Sequence, residues 1–222
     1  MNISKRLLGA LALTAGLVAA APVVAAPVAC IGGATSTGDQ PWSYFTGLPA
    51  DGCFQQDKRY SGFTLTGTAP TLQGKISFFN AGPFDFHSVN WTSSATPLDT
   101  TFTIGYTISV YLPVNPATFI NMVSLSIEPT AGTPTTSMLV VGTGGPYTAT
   151  SPSGGNPVDV LTSGSPTTLL VSQTLNGTNT NRITSATMKF TENVPEPASL
   201  ALFGLGLTGL AALRRRLARK AA

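Results

Sequence analysis

Apolar and polar residues alternate along the middle of the chain, most clearly over residues 101–112. Phe102, Ile104 and Tyr106 begin a series of apolar residues at every second position, with hydroxyl residues and glycine between them. Successive side chains of a strand point to opposite faces of its sheet, so this period predicts a long strand with one buried face. Shorter apolar or alternating runs occur at residues 63–66, 76–78, 84–86, 123–128, 138–141, 168–171 and 186–190.

Turn-forming residues separate these runs. Residues 144–146 and 151–157 are rich in Gly, Pro and Ser, which set the backbone angles of turns. Between the two ends of the chain, no segment shows sustained helical spacing. Short strands at regular intervals with Gly/Pro turns are typical of sandwiches. We therefore predict an all-β fold, a single jelly-roll-like β-sandwich over residues 26–193.

Charge is scarce and concentrated at the two ends. Only 9% of the residues are charged, and the formal net charge is +3. Basic residues cluster at both termini, whereas acidic residues outnumber basic ones between Pro27 and Asn193. A mildly acidic body lacks the clustered Lys and Arg that displace counterions from DNA or RNA. We expect no nucleic-acid partner.

Residues 1–25 have the three-part order of a Sec signal peptide. Lys5 and Arg6 provide the positive start, residues 7–21 form the apolar run, and small residues lead to Ala25. We predict export by Sec and cleavage after Ala25. A lipoprotein is the alternative, because Cys30 ends a short stretch that resembles a lipid-attachment site, but Pro27 stands where a Leu-like residue is usual.

Residues 194–222 combine three features in a fixed order. The first is a proline motif, which no strand or helix can run through, made of Val194, Pro195, Glu196 and Pro197. The uncharged apolar stretch 198–213 comes next, and we predict that it is a transmembrane helix, slightly shorter than the usual span. The last feature is a basic cluster that begins with Arg214, Arg215 and Arg216. By the positive-inside rule, it places the tail in the cytoplasm.

This order closely resembles the PEP-CTERM sorting signal. Pro195, Glu196 and Pro197 match the motif of that signal, and Arg214–Arg216 match its basic stop cluster. The resemblance implies recognition by an exosortase in Gram-negative bacteria that make exopolysaccharide. It also implies a transient inner-membrane intermediate, then processing near the motif and delivery to the cell surface or the outside.

The chain has two cysteines, Cys30 and Cys53. An exported chain meets an oxidising compartment, so we predict a disulfide between them that pins the N-terminal strand. By the chain-entropy estimate, closing this loop stabilises the fold by about 3 kcal/mol.

The segment at residues 52–63 is similar to a second pattern. Many PEP-CTERM proteins carry Gly-Cys…Asp-Lys-x-Phe/Tyr-Ser-x-Phe near the mature N-terminus, and a β-rich body comes after it. Tyr60 and Gly62 depart mildly from the commoner Phe and Asn. This resemblance supports the fold and implies no chemistry.

Residue types suited to catalysis are few and scattered. His87 is the only histidine, and Asp85 would share its face of a strand. We nevertheless interpret His87 as a surface or loop-end residue. The acidic residues lack the paired arrangement that glycoside hydrolysis needs. We expect no enzymatic activity, no metal site and no cofactor.

The sequence leaves three functions open, in order of preference. The first is a non-enzymatic surface or extracellular-matrix protein associated with exopolysaccharide or biofilm. The alternative is a carbohydrate-binding module whose exposed aromatic residues include Trp42 and Trp91, although aromatic residues of a sandwich lie more often in the core. The third is a secreted hydrolase, which would require an acid–base pair that the sequence does not reveal.

Overall fold

The computed structural model describes residues 28–32, 35–69, 71–81, 84–94, 97–111, 118–151 and 157–193. The predicted signal peptide and the predicted sorting segment, including its transmembrane helix, lie outside these ranges. Within them, no helix is long and apolar enough to cross a membrane.

The described residues form thirteen strands and one short helix. The elements are β1 (Val28–Ala29), β2 (Gln40–Pro41), α1 (Trp42–Thr46), β3 (Cys53–Gln55), β4 (Lys58–Gly67), β5 (Leu72–Ala81), β6 (Phe84–Ser93), β7 (Thr101–Val110), β8 (Ile120–Ala131), β9 (Thr135–Gly142), β10 (Gly145–Ser151), β11 (Val158–Leu161), β12 (Thr168–Asn176) and β13 (Arg182–Asn193).

The strands form two sheets that face each other. The seven-stranded sheet has the order β1-β3-β4-β7-β12-β9-β10, and the six-stranded sheet has the order β11-β8-β13-β6-β5-β2. The β1–β3 pair is parallel, and the long strands pair in antiparallel fashion. The prediction of an all-β sandwich body is confirmed.

Alternating side chains of both sheets fill the space between them. In β7, Phe102, Ile104 and Ile108 point inward and are buried, as the alternation predicts. The last strand, β13, lies between β8 and β6 and contributes Met188 and Phe190 to the same core. The final strand of the body is therefore central to its sheet rather than at an edge.

Aromatic rings fill one region of this core. The ring of Phe45, on the short helix α1, lies 5.4 Å from that of Trp91 and 5.0 Å from that of Phe63. Gly74 faces these rings, and a Cβ there would overlap both Trp91 and Phe45. The missing side chain is what lets the fully buried indole of Trp91 fit.

The segment at residues 52–63 forms the β3–β4 hairpin and much of the surrounding core. Cys53 forms a disulfide with Cys30, which confirms the predicted pairing and ties β1 to β3. Tyr60 is fully buried, and Phe63 packs in the aromatic cluster. Gly52 has φ of 72°, and a Cβ there would overlap the carbonyl oxygen of Tyr60. These glycine, cysteine and aromatic positions are therefore packing positions of the pattern.

We expect Gly52→Ala to destabilise the fold more than Gly62→Ala. Both glycines have left-handed φ, 72° and 65°, but the nearest atom to a Cβ at Gly62 is Thr107 Oγ1 at 3.8 Å. Gly62→Ala should cost only the backbone strain, about 1–2 kcal/mol. Gly52→Ala adds an overlap with backbone, for a total of about 2–5 kcal/mol. Urea unfolding of both variants measures this difference, and equal losses would contradict the close approach at Gly52.

Candidate functional site

Four ionisable side chains meet in the interior between the two sheets. Lys58 Nζ lies 2.5 Å from Glu192 Oε2 and 3.0 Å from Asp57 Oδ1. His87 Nε2 lies 3.1 Å from Asp57 Oδ1 and 3.4 Å from Glu192 Oε1. All four residues are buried, and Lys58 and His87 are 0% exposed. We call this group the buried charge cluster.

Both sheets contribute to the cluster through their local geometry. Asp57 lies in the β3–β4 turn, where Gln56 adopts a left-handed φ of 55° and the amide of Tyr111 donates to the carbonyl oxygen of Asp57. Lys58 then begins β4 with its side chain inward. In the other sheet, His87 pairs opposite Phe190, so Glu192 is its diagonal neighbour on the inward face.

The contacts of His87 indicate where its proton lies. Nδ1 is 3.3 Å from the hydroxyl of Tyr60, whereas Nε2 faces two carboxylates. A proton on Nε2 can be shared with the carboxylates of Asp57 and Glu192, and the Tyr60 hydroxyl can then donate to Nδ1. We assign this tautomer from the hydrogen-bond network.

Electrostatics in the cluster favour an ionised Asp57. Burial by itself raises the pKa of Asp57, but the hydrogen bond from His87 and the positive charge of Lys58 outweigh burial. The pKa of Asp57 therefore lies well below its usual value of 3.8. Burial, reinforced by the nearby charges, raises the pKa of Tyr60 well above 10.0, so its hydroxyl stays protonated and able to donate.

The donor atoms of Asp57, His87 and Glu192 lie within 4.8 Å of one another, a grouping that resembles a metal site. Lys58, however, places its ammonium against both carboxylates. A cation entering between them would have to displace this internal cation. The geometry is therefore that of an ion-pair network that supplies its own positive charge.

The cluster corrects the interpretation of His87. The expected surface or loop-end position is wrong, because His87 is fully buried in the middle of a sheet. Asp85, considered as its dyad partner, instead accepts a hydrogen bond from Asn80 Nδ2. Sequence patterns do not indicate Asp57, Lys58 and Glu192 as a group. The one sequence feature that could have found part of it is the Asp-Lys-x-Tyr core of the segment at residues 52–63.

The two tryptophans proposed as saccharide contacts have different positions. Trp91 is 0% exposed, so the expectation that it contacts a saccharide is wrong. Trp42 is half-buried, with its ring 5.8 Å from that of Trp91 and 6.5 Å from that of Phe63. One edge of Trp42 borders a shallow depression beside Leu72 and Gln73.

Exposed aromatic residues lie elsewhere, on the outer face of the six-stranded sheet. Phe79 is 65% exposed and pairs across β5 and β6 with Phe86, the two rings stacking with centroids 6.2 Å apart. Lys189 Nζ lies 5.1 Å from the centre of the Phe86 ring. Ser77 and Ser88 complete a shallow depression beside these residues. We call this group the phenylalanine face.

A family model matches the segment that begins at the end of the last strand. The model for the PEP-CTERM protein-sorting motif covers residues 193–216. The chain is a PEP-CTERM domain-containing protein. The match begins at Asn193, the last residue of β13, so the sorting motif lies directly beyond the folded body.

Other comparisons add little to this identification. None of the curated proteins matches the PEP-CTERM protein significantly. Among solved structures, TmCBM61 in complex with β-1,4-galactotriose is 14% identical, with a TM-score of 0.33, over 60% of this chain and 86% of that one. A family 11 carbohydrate-binding module from Clostridium thermocellum, in complex with a β-1,3-1,4-mixed-linked tetrasaccharide, is 10% identical, with a TM-score of 0.30, over 61% and 88%. Likenesses this weak carry no argument about function.

We expect the stability of the PEP-CTERM protein to fall in acid because of Asp57. A carboxyl with a lowered folded-state pKa contributes stability above its ordinary pKa of 3.8 and loses it as pH falls toward the lowered value. Asp57→Asn should cost about 3–5 kcal/mol at neutral pH, because it leaves buried partners uncompensated. The difference in the free energy of unfolding between Asp57→Asn and the wild type should become smaller below pH 3.8. Urea unfolding of the wild type and of Asp57→Asn, at about five pH values between 7 and 3, measures how the free energy of unfolding of each protein depends on pH.

Asp51→Asn is the matched control for this series. Asp51 is half-exposed and lies 4.0 Å from Arg59, so its loss should change stability by at most about 1 kcal/mol. If the free energy of unfolding falls equally with pH in the wild type and in Asp57→Asn, Asp57 is not the cause of the loss of stability in acid.

Proposed function

We propose that this protein is a non-enzymatic surface or extracellular-matrix protein. In this proposal it is exported by Sec, processed by an exosortase and associated with exopolysaccharide or biofilm, and its body is a jelly-roll-like sandwich. The observation that carries the proposal is the position of the sorting motif, which begins at residue 193, where β13 ends. Processing beyond that residue would leave every described strand intact.

The construction of the body suits an extracellular role. The Cys30–Cys53 disulfide attaches the first strand covalently, and the last strand, β13, is hydrogen-bonded on both sides, to β8 and to β6. The ends of a domain are where fraying and proteolysis usually begin. A fold whose two terminal strands are held in this way is suited to an environment that contains proteases.

The arrangement of carboxylates supports a non-enzymatic role. Glycoside hydrolysis uses two carboxyl groups that face each other across a space open to substrate. The carboxylates of Asp57 and Glu192 converge to within 4.8 Å, and both are buried against Lys58. Such a pair has no access to a polysaccharide chain.

The C-terminus of the mature protein tests the sorting proposal. We expect the protein recovered from the envelope or culture medium to lack the residues after about Pro197, since that motif is where the resemblance places processing. Intact-mass measurement and C-terminal peptide mapping provide the readout. In a host without its exosortase, the same protein should keep its C-terminal peptide.

Glu196→Ala tests the motif without altering a described residue. This variant should accumulate with its C-terminus intact, while Glu128→Ala, a change of an exposed carboxylate on β8, should be processed normally. Recovery of the wild type with Ala222 still attached, in a host with an active exosortase, would show that the segment is a plain anchor.

A second candidate function, saccharide binding, draws its support from the phenylalanine face. Sugar rings stack on exposed aromatic rings, and their hydroxyls require nearby polar groups. Phe79 and Phe86 offer the rings, and Ser77, Ser88 and Lys189 offer polar groups around the same depression. In this candidate, the phenylalanine face replaces Trp91 as the contact surface.

Truncation of the phenylalanine face tests saccharide binding. We expect Phe79→Ala and Phe86→Ala each to weaken retention on the exopolysaccharide of the producing bacterium by about 10-fold, or about 1.4 kcal/mol. Affinity electrophoresis in gels with and without the polysaccharide measures retention. Leu170→Ala removes a comparably exposed apolar side chain from the seven-stranded sheet and should have no effect. Equal retention of all variants would exclude this face as the contact.

A further inference from the structure

The buried charge cluster holds a primary amine against a carboxyl group in the core. Lys58 Nζ and Glu192 Oε2 are 2.5 Å apart, and each side chain is 1% exposed. The two residues are 134 positions apart in the chain and belong to opposite sheets. Lysine is rarely buried completely, because its long side chain usually carries the ammonium group to solvent.

The surroundings favour removal of these charges. An ammonium and a carboxylate in a poorly solvated interior lose most of their hydration. Condensation of the two groups yields a neutral amide and one water molecule. In water this equilibrium lies toward the separate groups, but a site that excludes water shifts it toward the amide.

We propose that Lys58 and Glu192 form an intramolecular isopeptide bond. The Lys58 ammonium first gives a proton directly to the Glu192 carboxylate, whose Oε2 lies 2.5 Å from Nζ. The neutral Nζ then attacks Cδ of the protonated carboxyl and forms a tetrahedral intermediate. Asp57 takes a second proton from Nζ and delivers it to the departing hydroxyl. One C–N bond forms, one C–O bond breaks, and water leaves, with no oxidant or cofactor required.

The neighbouring groups are placed for this reaction. Asp57 Oδ1 is 3.0 Å from Lys58 Nζ, within reach of the second proton that must leave the nitrogen. His87 Nε2 is 3.4 Å from Glu192 Oε1, the oxygen that gains negative charge in the intermediate. Tyr60, at 3.3 Å from His87 Nδ1, holds the imidazole in the orientation that presents Nε2.

The bond would join β4 of one sheet to β13 of the other. It would fasten the last strand covalently immediately before the sorting motif at residues 193–216. Together with the Cys30–Cys53 disulfide, it would secure both ends of the body, and the isopeptide bond would do so without depending on the redox state. This inference is independent of whether the protein binds polysaccharide.

Peptide mapping of the purified full-length chain tests the proposal. After reduction of the disulfide and digestion with trypsin, we expect a branched peptide that joins the segment containing Lys58 to the segment containing Glu192. Its mass should be lower than the sum of the two linear peptides by the mass of one water. Trypsin should not cleave after the acylated Lys58, and tandem mass spectrometry should place the link on that side chain.

Three variants separate the roles of the residues. Lys58→Arg keeps the positive charge but cannot form this amide, so both linear peptides should appear at their full masses. Asp57→Asn removes the carboxylate that takes the second proton and should slow condensation by at least about 100-fold. Lys75→Arg, a change on the outer face of the six-stranded sheet, should leave the cross-link unchanged.

Glu192→Gln identifies the acyl partner even where Lys58→Arg fails to fold. If the carboxamide introduced at position 192 condenses with Lys58, ammonia rather than water is lost, and the branched peptide has the same mass as that of the wild type. This equality shows that position 192 supplies the acyl group, because a link at any other residue would keep the mass difference of the substitution. A wild-type digest with only linear peptides, cleaved after Lys58, would overturn the proposal and leave an ion pair. A link from Lys58 to Asp57 instead would overturn the assignment to Glu192.

Discussion

The side chain of Lys58 meets Asp57 and Glu192 in the interior, and the chain folds with this ion pair in place before any bond between Lys58 and Glu192 can form. A buried charge is tolerated only where partners of opposite sign surround it. Those partners come from a hairpin turn in one sheet, which supplies Asp57, and from the last strand of the other, which supplies Glu192. The two sheets must therefore pack in one register for the cluster to form. His87 faces both carboxylates through Nε2 and the Tyr60 hydroxyl through Nδ1.

The same contact lies directly before the sorting motif in the sequence. Glu192 belongs to a central strand of the six-stranded sheet, and the sorting motif begins one residue later. The body can complete its core only when this last strand has joined the sheet. In the proposed function, in which the chain is processed immediately beyond β13, a strong attachment of that strand keeps the body folded.

Much of the fold could be predicted from local patterns, and the errors have a common physical origin. Alternation identified strands such as β7 because period two is a property of contiguous residues. Alternation does not state which polar residues a core will accept. Sequence patterns therefore favour a surface position for His87, although Tyr60 and Asp57 from the opposite sheet face its two ring nitrogens in the interior. The prediction that Trp91 contacts a saccharide fails because the sequence pattern does not show that Gly74, on the neighbouring strand, makes room for the indole ring inside the core.

By itself, the sequence determined the all-β class, the cysteine pair and the sorting motif, because each is encoded by composition or by a few adjacent residues. The tertiary structure alone decided that Lys58 would meet Glu192 and that Phe79 would stack on Phe86 at the surface. The Lys58–Glu192 contact depends on the packing of two sheets and joins residues 134 positions apart. The stacking of Phe79 on Phe86 depends on the register of β5 against β6. A shift of one residue in that register would send every side chain of the strand to the opposite face.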